Sequence, residues 1–128
     1  MPFDNPHQTP FGDADLLRDA RSRISGKSDW VQRRFQDGNR YCLVAALSVV
    51  SGSATFQKPN QVERRLARRL AAQLPSQVPL WARMRCFTAR QRLIWFNDSP
   101  RTKHEDVMVL FDRAIDHQTS KMSIYITT

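Results

Sequence analysis

Cys42 is the residue of this chain best placed for nucleophilic chemistry. It opens the uncharged run Cys42–Val50, and a helix N-terminus holds a thiol toward its thiolate form. Such chemistry also needs a general base. Of the three histidines, His7 stands in a proline-rich start and His117 near a helix end, which leaves His104. On a helical wheel His104 falls beside Phe111 and Ile115, at the edge of a core stripe. Cys42 and His104 are the candidate catalytic residues, with simple core packing as the competing account of both.

Metal and nucleotide chemistry find less support. His104, Glu105 and Asp106 are consecutive, so on a helix they point in different directions, and no HExxH or paired CxxC spacing is present. Asp112 and Asp116 share a helix face, most simply as a solvated pair. Only four glycines occur, none at phosphate-loop spacing. No metal, cofactor or nucleotide is expected.

The other chemistry on offer is anion recognition. The net charge of +8 comes from one third of the chain. Residues 60–103 hold ten basic residues against Glu63 and Asp98, and sixteen of the twenty basic residues overall are arginine. A guanidinium offers a planar fork for phosphate or carboxylate that lysine does not. Arg64, Arg65, Arg68 and Arg69 sit on one side of a helix as like-charge pairs at i,i+3 and i,i+4, each costing about 0.2–0.5 kcal/mol in isolation. Glu63 faces Leu66 and Ala67, so relief must come from elsewhere: aspartates of the N-terminal half, a nucleic-acid backbone or an acidic protein. Arg83 and Arg85, interleaved with Trp81 and Phe87, resemble a stacking surface. The candidate binding residues are Arg64, Arg65, Arg68, Arg69, Arg83 and Arg85.

The elements that must position these groups read as follows. Residues 1–12, with three prolines, form a loose tail ahead of a single globular domain over 13–128. Leu16, Leu17, Ala20 and Ile24 follow helical spacing after a cap at Asp13, and Gly26 ends that helix. Trp30–Phe35 leads into Asp37-Gly38 as a strand and turn. Cys42–Val50 is apolar nearly all round and belongs at the centre. Pro59-Asn60 opens the arginine helix with Asn60 as cap. A short helix carries Leu80, Trp81, Met84 and Phe87. Thr102-Lys-His-Glu105 reads as a capping box for a last helix burying Val107, Leu110, Phe111, Ala114 and Ile115. Met122–Ile126 reads as a terminal strand.

Between these helices lies Phe96-Asn97-Asp98-Ser99-Pro100-Arg101-Thr102, in which Asp98 can pair with Arg101 or bond turn amides. With Trp30, the stretch from Gly38 to Leu43, and Ala45-Ala46-Leu47, this segment resembles a family of short bacterial and phage proteins with no established activity. Their pattern is an aromatic residue, Asn-Asp-x-Pro, then Arg-Thr and a closing amphipathic helix. The resemblance spans roughly residues 14–117. Relatives often carry Gly between the Pro and the Arg-Thr; here Pro100 runs directly into Arg101, which implies a tighter turn. Asn97, Asp98, Arg101, Thr102 and Glu105 are marked as a structural motif, and no catalytic residue transfers.

The fold class expected is α+β, mainly helical: four to five helices around a central apolar helix at 42–52, with a short strand pair or small sheet. The leading function is a small basic, non-enzymatic binding module whose Arg-rich surface engages an acidic partner, nucleic acid among the candidates. The alternatives are a thiol-dependent enzyme using Cys42, and an accessory protein acting through a dedicated partner or through oligomerisation. The start lacks the basic and apolar regions of a signal peptide, and Cys42–Val50 is too short for a membrane span, so the expected location is the cytoplasm.

Overall fold

Leu43–Ser51 folds as a helix with no face suited to water, and three of the other described helices close round it. The computed structural model describes residues 10–53, 58–75 and 88–127, with side chains between Gly12 and Ser120. In chain order the elements are α1 (Pro10–Arg23), a 3-10 turn (Lys27–Asp29), β1 (Gln36–Asp37), β2 (Arg40–Tyr41), α2 (Leu43–Ser51), α3 (Gln61–Ala71), α4 (Ala89–Asp98) and α5 (His104–Thr127). The architecture is mainly helical α+β.

All of Leu43, Val44, Ala45, Ala46, Leu47 and Ser48 are buried, as a helix apolar on every side must be. α2 touches α1, α3 and α4, while α1 packs along α5 and α3 along α4. Leu17, Ile24, Leu47, Leu66, Leu93 and Phe111 are among the large side chains wholly withdrawn from solvent. α2 stops at Gly52, whose φ of 76° is left-handed; its amide closes onto Ser48 and Val49, the conformation a C-terminal glycine supplies without steric penalty. Gly26 answers a different need. A Cβ there would meet Asp29 Oδ2 at 2.5 Å, because the Gly26 amide donates to that carboxylate.

The sheet is one antiparallel hairpin pairing Gln36 with Tyr41 and Asp37 with Arg40. Gly38, with φ 62°, supplies the positive φ that a two-residue loop demands. Trp30 adds an isolated parallel bridge to Tyr41, so the strand expected over 30–35 is shorter and later than its β-prone residues suggest.

Three expectations are corrected and one helix is added. α1 begins at Pro10, inside the segment read as tail, so Asp13 lies within its first turn instead of capping it. Ala89–Asp98, to which the sequence reading assigns no element, is a helix capped by a Thr88/Gln91 box. The box of the last helix is offset by one residue: Asp106, not Glu105, reaches back to the Lys103 amide at 2.8 Å, and the helix starts at His104. Residues 122–126 continue α5 as helix, not strand. The short helix expected at Leu80–Phe87, with Arg83 and Arg85, lies outside the described residues.

Candidate functional site

The arginine face of α3 divides into two halves with different fates. Asn60 caps the helix through the Glu63 amide at 2.8 Å, which fixes the wheel as the spacing predicts. Arg65 and Arg69 then turn toward α1, where Asp13 is 0% exposed. The Asp13 carboxylate accepts three contacts from Arg65, at 2.8, 2.9 and 3.1 Å, and a further one from Arg69 Nε. A buried carboxylate needs such partners to remain charged. Two of the six candidate binding arginines are therefore structural.

Arg64 and Arg68 turn the other way and are exposed. They join Arg90 and Arg92 of α4 along a groove of about 490 Å³, whose other walls are Pro59, Ala67, Thr88 and Ala89. Glu63 closes the groove from beneath at 1% exposure. Its carboxylate accepts from the Ser48 hydroxyl at 2.8 Å and from Arg90 Nε at 3.4 Å. Arg90 also lies 5.5 Å over the Phe35 ring, a cation–π contact that fixes its stem. Arg92 differs: its Nε is out of solvent and has no hydrogen-bond partner. Among the described residues no carboxylate lies within ion-pair distance of Arg64, Arg68 or Arg92. Among the described residues the groove thus gathers four guanidinium groups against a single carboxylate.

Arg90 and Arg92 were not singled out by spacing, although the signal was there. Thr88-Ala-Arg-Gln91 is a capping-box sequence, and both of its bonds form at 3.0 Å. It places Arg90 and Arg92 in the first turn of α4, beside α3.

The thiol and imidazole come out differently. Cys42 is 4% exposed and is itself the cap of α2, its sulfur accepting from the Ala45 amide at 3.4 Å. Burial pushes its pKa above the usual thiol value, and the Ala45 and Val44 amides pull it back only in part. The helix start is present, but desolvation wins. His104 Nε2 lies 2.7 Å from the Ile24 carbonyl oxygen, just beyond the end of α1, and its ring sits 5.8 Å from the Trp30 ring. That role orders a helix end. His117 is exposed, and Asp112, expected as half of a solvated pair, holds Arg21 Nε at 2.8 Å. Among the described residues no group of three metal-ligating side chains occurs.

Two of the five motif residues, Asn97 and Asp98, are clasps. Asn97, 1% exposed, accepts at Oδ1 from Trp30 Nε1 (2.7 Å) and the Leu43 amide (3.1 Å). Its Nδ2 donates to the Val31 carbonyl and to Asp98 Oδ1. Asp98 accepts the Arg33 amide at 2.7 Å, holding that residue at a φ of 66°, a region non-glycine residues seldom enter. Gln32 Nε2 gathers the carbonyls of Asn97, Ser99 and Thr102. Thr102 is buried, whereas Arg101 and Glu105 are exposed. Asp98 binds the Arg33 amide and the Asn97 amide group; among the described residues its carboxylate makes no ion pair with Arg101.

Among the described residues no helix is long and apolar enough to cross a membrane. No curated protein and no solved structure matches the chain. A family model matches residues 8–117, and that span takes in α1, the hairpin, α2, α3, α4, every clasp residue and both sides of the arginine groove. The chain belongs to the family described as Family of unknown function (DUF6197).

Proposed function

We propose that this protein is a small binding module whose Arg-rich groove between α3 and α4 engages an acidic partner, and that the partner is the phosphate backbone of nucleic acid. The observation that supports this reading is the imbalance in the groove: among the described residues Arg64, Arg68, Arg90 and Arg92 line it, and Glu63 is the one carboxylate in its lining. Like charges gathered on a concave wall repel, and an anion in the groove converts that repulsion into attraction. Arginine suits the task because its fork meets two phosphate oxygens at once. Arg65 and Arg69 leave the binding set, since Asp13 already neutralises them. The setting proposed is a bacterial or phage cytoplasm.

The test is retention on a phosphate-rich polyanion, followed by titration with oligonucleotide across salt concentrations. About four phosphate contacts predict a log–log salt slope of roughly −3 to −4. Arg64→Glu/Arg68→Glu is expected to abolish retention while leaving the fold intact, because both side chains project into solvent. A slope near zero, or retention unchanged in the double variant, overturns the reading. Retention by an acidic protein matrix alone points instead to a protein partner.

A further inference from the structure

We propose that the Arg92 side of the groove is a subsite for one phosphate monoester, the terminal phosphate of a nucleic-acid strand. The inference rests on the nucleic-acid reading above and adds what the protein recognises. Its foundation is Arg92. Arg90, in the same helix turn, has Glu63 and the Phe35 ring for company. Arg92 has neither, and its Nε is withdrawn from water without a hydrogen-bond partner. A donor left in that state is unfavourable by itself and becomes favourable when an anion arrives.

The arrangement of the other cations narrows the anion. Arg64 and Arg68 lie one helical turn apart on α3, while Arg92 comes from α4, so guanidinium groups approach the groove from two walls. A planar carboxylate offers two oxygens in one plane and one charge. A phosphate monoester offers three terminal oxygens in a tetrahedron and about −1.5 to −2 charge near neutral pH. An internal diester has fewer free oxygens and a single charge. Pro59, Ala67 and Ala89 line the same concavity with apolar surface, and a charge-assisted bond made against such a wall is stronger than one in bulk water. The first turn of α4 also adds its partial positive charge, a smaller contribution.

Size points to an end rather than a run of backbone. A volume of about 490 Å³ is that of a small-molecule pocket, enough for one nucleotide unit and far too small for a duplex. A strand terminus can enter it, with the remaining backbone crossing the exposed Arg64 and Arg68.

Three single-stranded oligonucleotides of one sequence decide the matter: phosphorylated at the 5′ end, at the 3′ end, or at neither. One phosphorylated form is expected to bind about tenfold more tightly than the hydroxyl-ended strand, with inorganic phosphate competing away that advantage. Arg92→Gln is expected to reduce the ratio to near one, weakening the phosphorylated strand about tenfold more than the hydroxyl-ended one; Arg92→Lys, which keeps charge and loses the fork, is expected to give an intermediate ratio. Equal affinity of the wild type for all three strands overturns the subsite. If Arg64→Glu/Arg68→Glu still weakens those equal affinities, the nucleic-acid reading survives alone, and if no strand binds, both fall. Tighter binding of a phosphoserine peptide than of any strand overturns the assignment to nucleic acid.

Discussion

The Trp30 indole N–H donates to Asn97 Oδ1 across 2.7 Å, tying the loop after α1 to the last turn of α4. The same oxygen takes the Leu43 amide at 3.1 Å, which belongs to the first turn of α2, where amides have no partner within the helix. One amide side chain therefore locks together a loop, the start of the central helix and the end of another helix. The residues that give the chain its most distinctive sequence are accounted for by this closure, and the groove lies elsewhere.

Asn97→Ala is accordingly expected to destabilise the protein by roughly 3 kcal/mol, since it strands the Trp30 donor, the Leu43 amide and the Val31 carbonyl out of water. Urea unfolding followed by tryptophan fluorescence measures it. Asn97→Asp keeps the acceptor but brings a second carboxylate against Asp98, so it should not rescue. A loss under 1 kcal/mol for Asn97→Ala would remove the clasp from the account.

Asp13 yields a second expectation. Replacing it with Asn leaves Arg65 and Arg69 half-buried and unneutralised, with an expected loss of about 2–4 kcal/mol. Combining Asp13→Leu with Arg65→Met and Arg69→Met removes the charges together and is expected to recover most of that loss, as read from thermal unfolding. Failure of the triple variant to recover would mean that the pair does more than neutralise.

How much of this was visible in the chain depended on the range of the forces involved. The central helix and the Asn60 cap were legible because an apolar run and an N-cap are encoded within a few residues. Asp13 was misread for the same reason. An acidic residue before an apolar period is the ordinary signature of a cap, and its true partners lie 52 and 56 residues away. α4 was obscured by Asn97-Asp98-Ser99-Pro100, whose turn composition outweighed the Thr88/Gln91 box at the other end. Residues 122–126 are β-prone, yet extending α5 adds a backbone bond per residue without a new nucleus. The groove itself was half legible: four arginines of α3 were clear, but which two were already partnered required the fold.

The two pairs of α3 arginines should separate in solution. Arg64→Ala/Arg68→Ala is expected to flatten the salt slope of oligonucleotide binding by about 1.4–1.8, two phosphate contacts' worth, with unfolding unchanged. Arg65→Ala/Arg69→Ala is expected to do the opposite, lowering thermal stability and leaving the slope nearly as it was. Equal slope changes in both variants would contradict the division of the helix face.

The Cys42 thiol makes the sharpest statement about pH. Burial raises its pKa, so the folded protein holds that proton more tightly than the unfolded chain does. The stability linked to it is fully present below the ordinary thiol value of 9.0 and is lost as pH climbs from there toward the raised value. In a Cys86→Ser background the urea midpoint should fall above that pH, and adding Cys42→Ala should make the decline shallower. The same withdrawal from water predicts slow alkylation by iodoacetamide in native protein and rapid alkylation in denaturant. Fast native labelling at neutral pH would show an accessible thiolate, and it would return Cys42 from helix cap to candidate nucleophile.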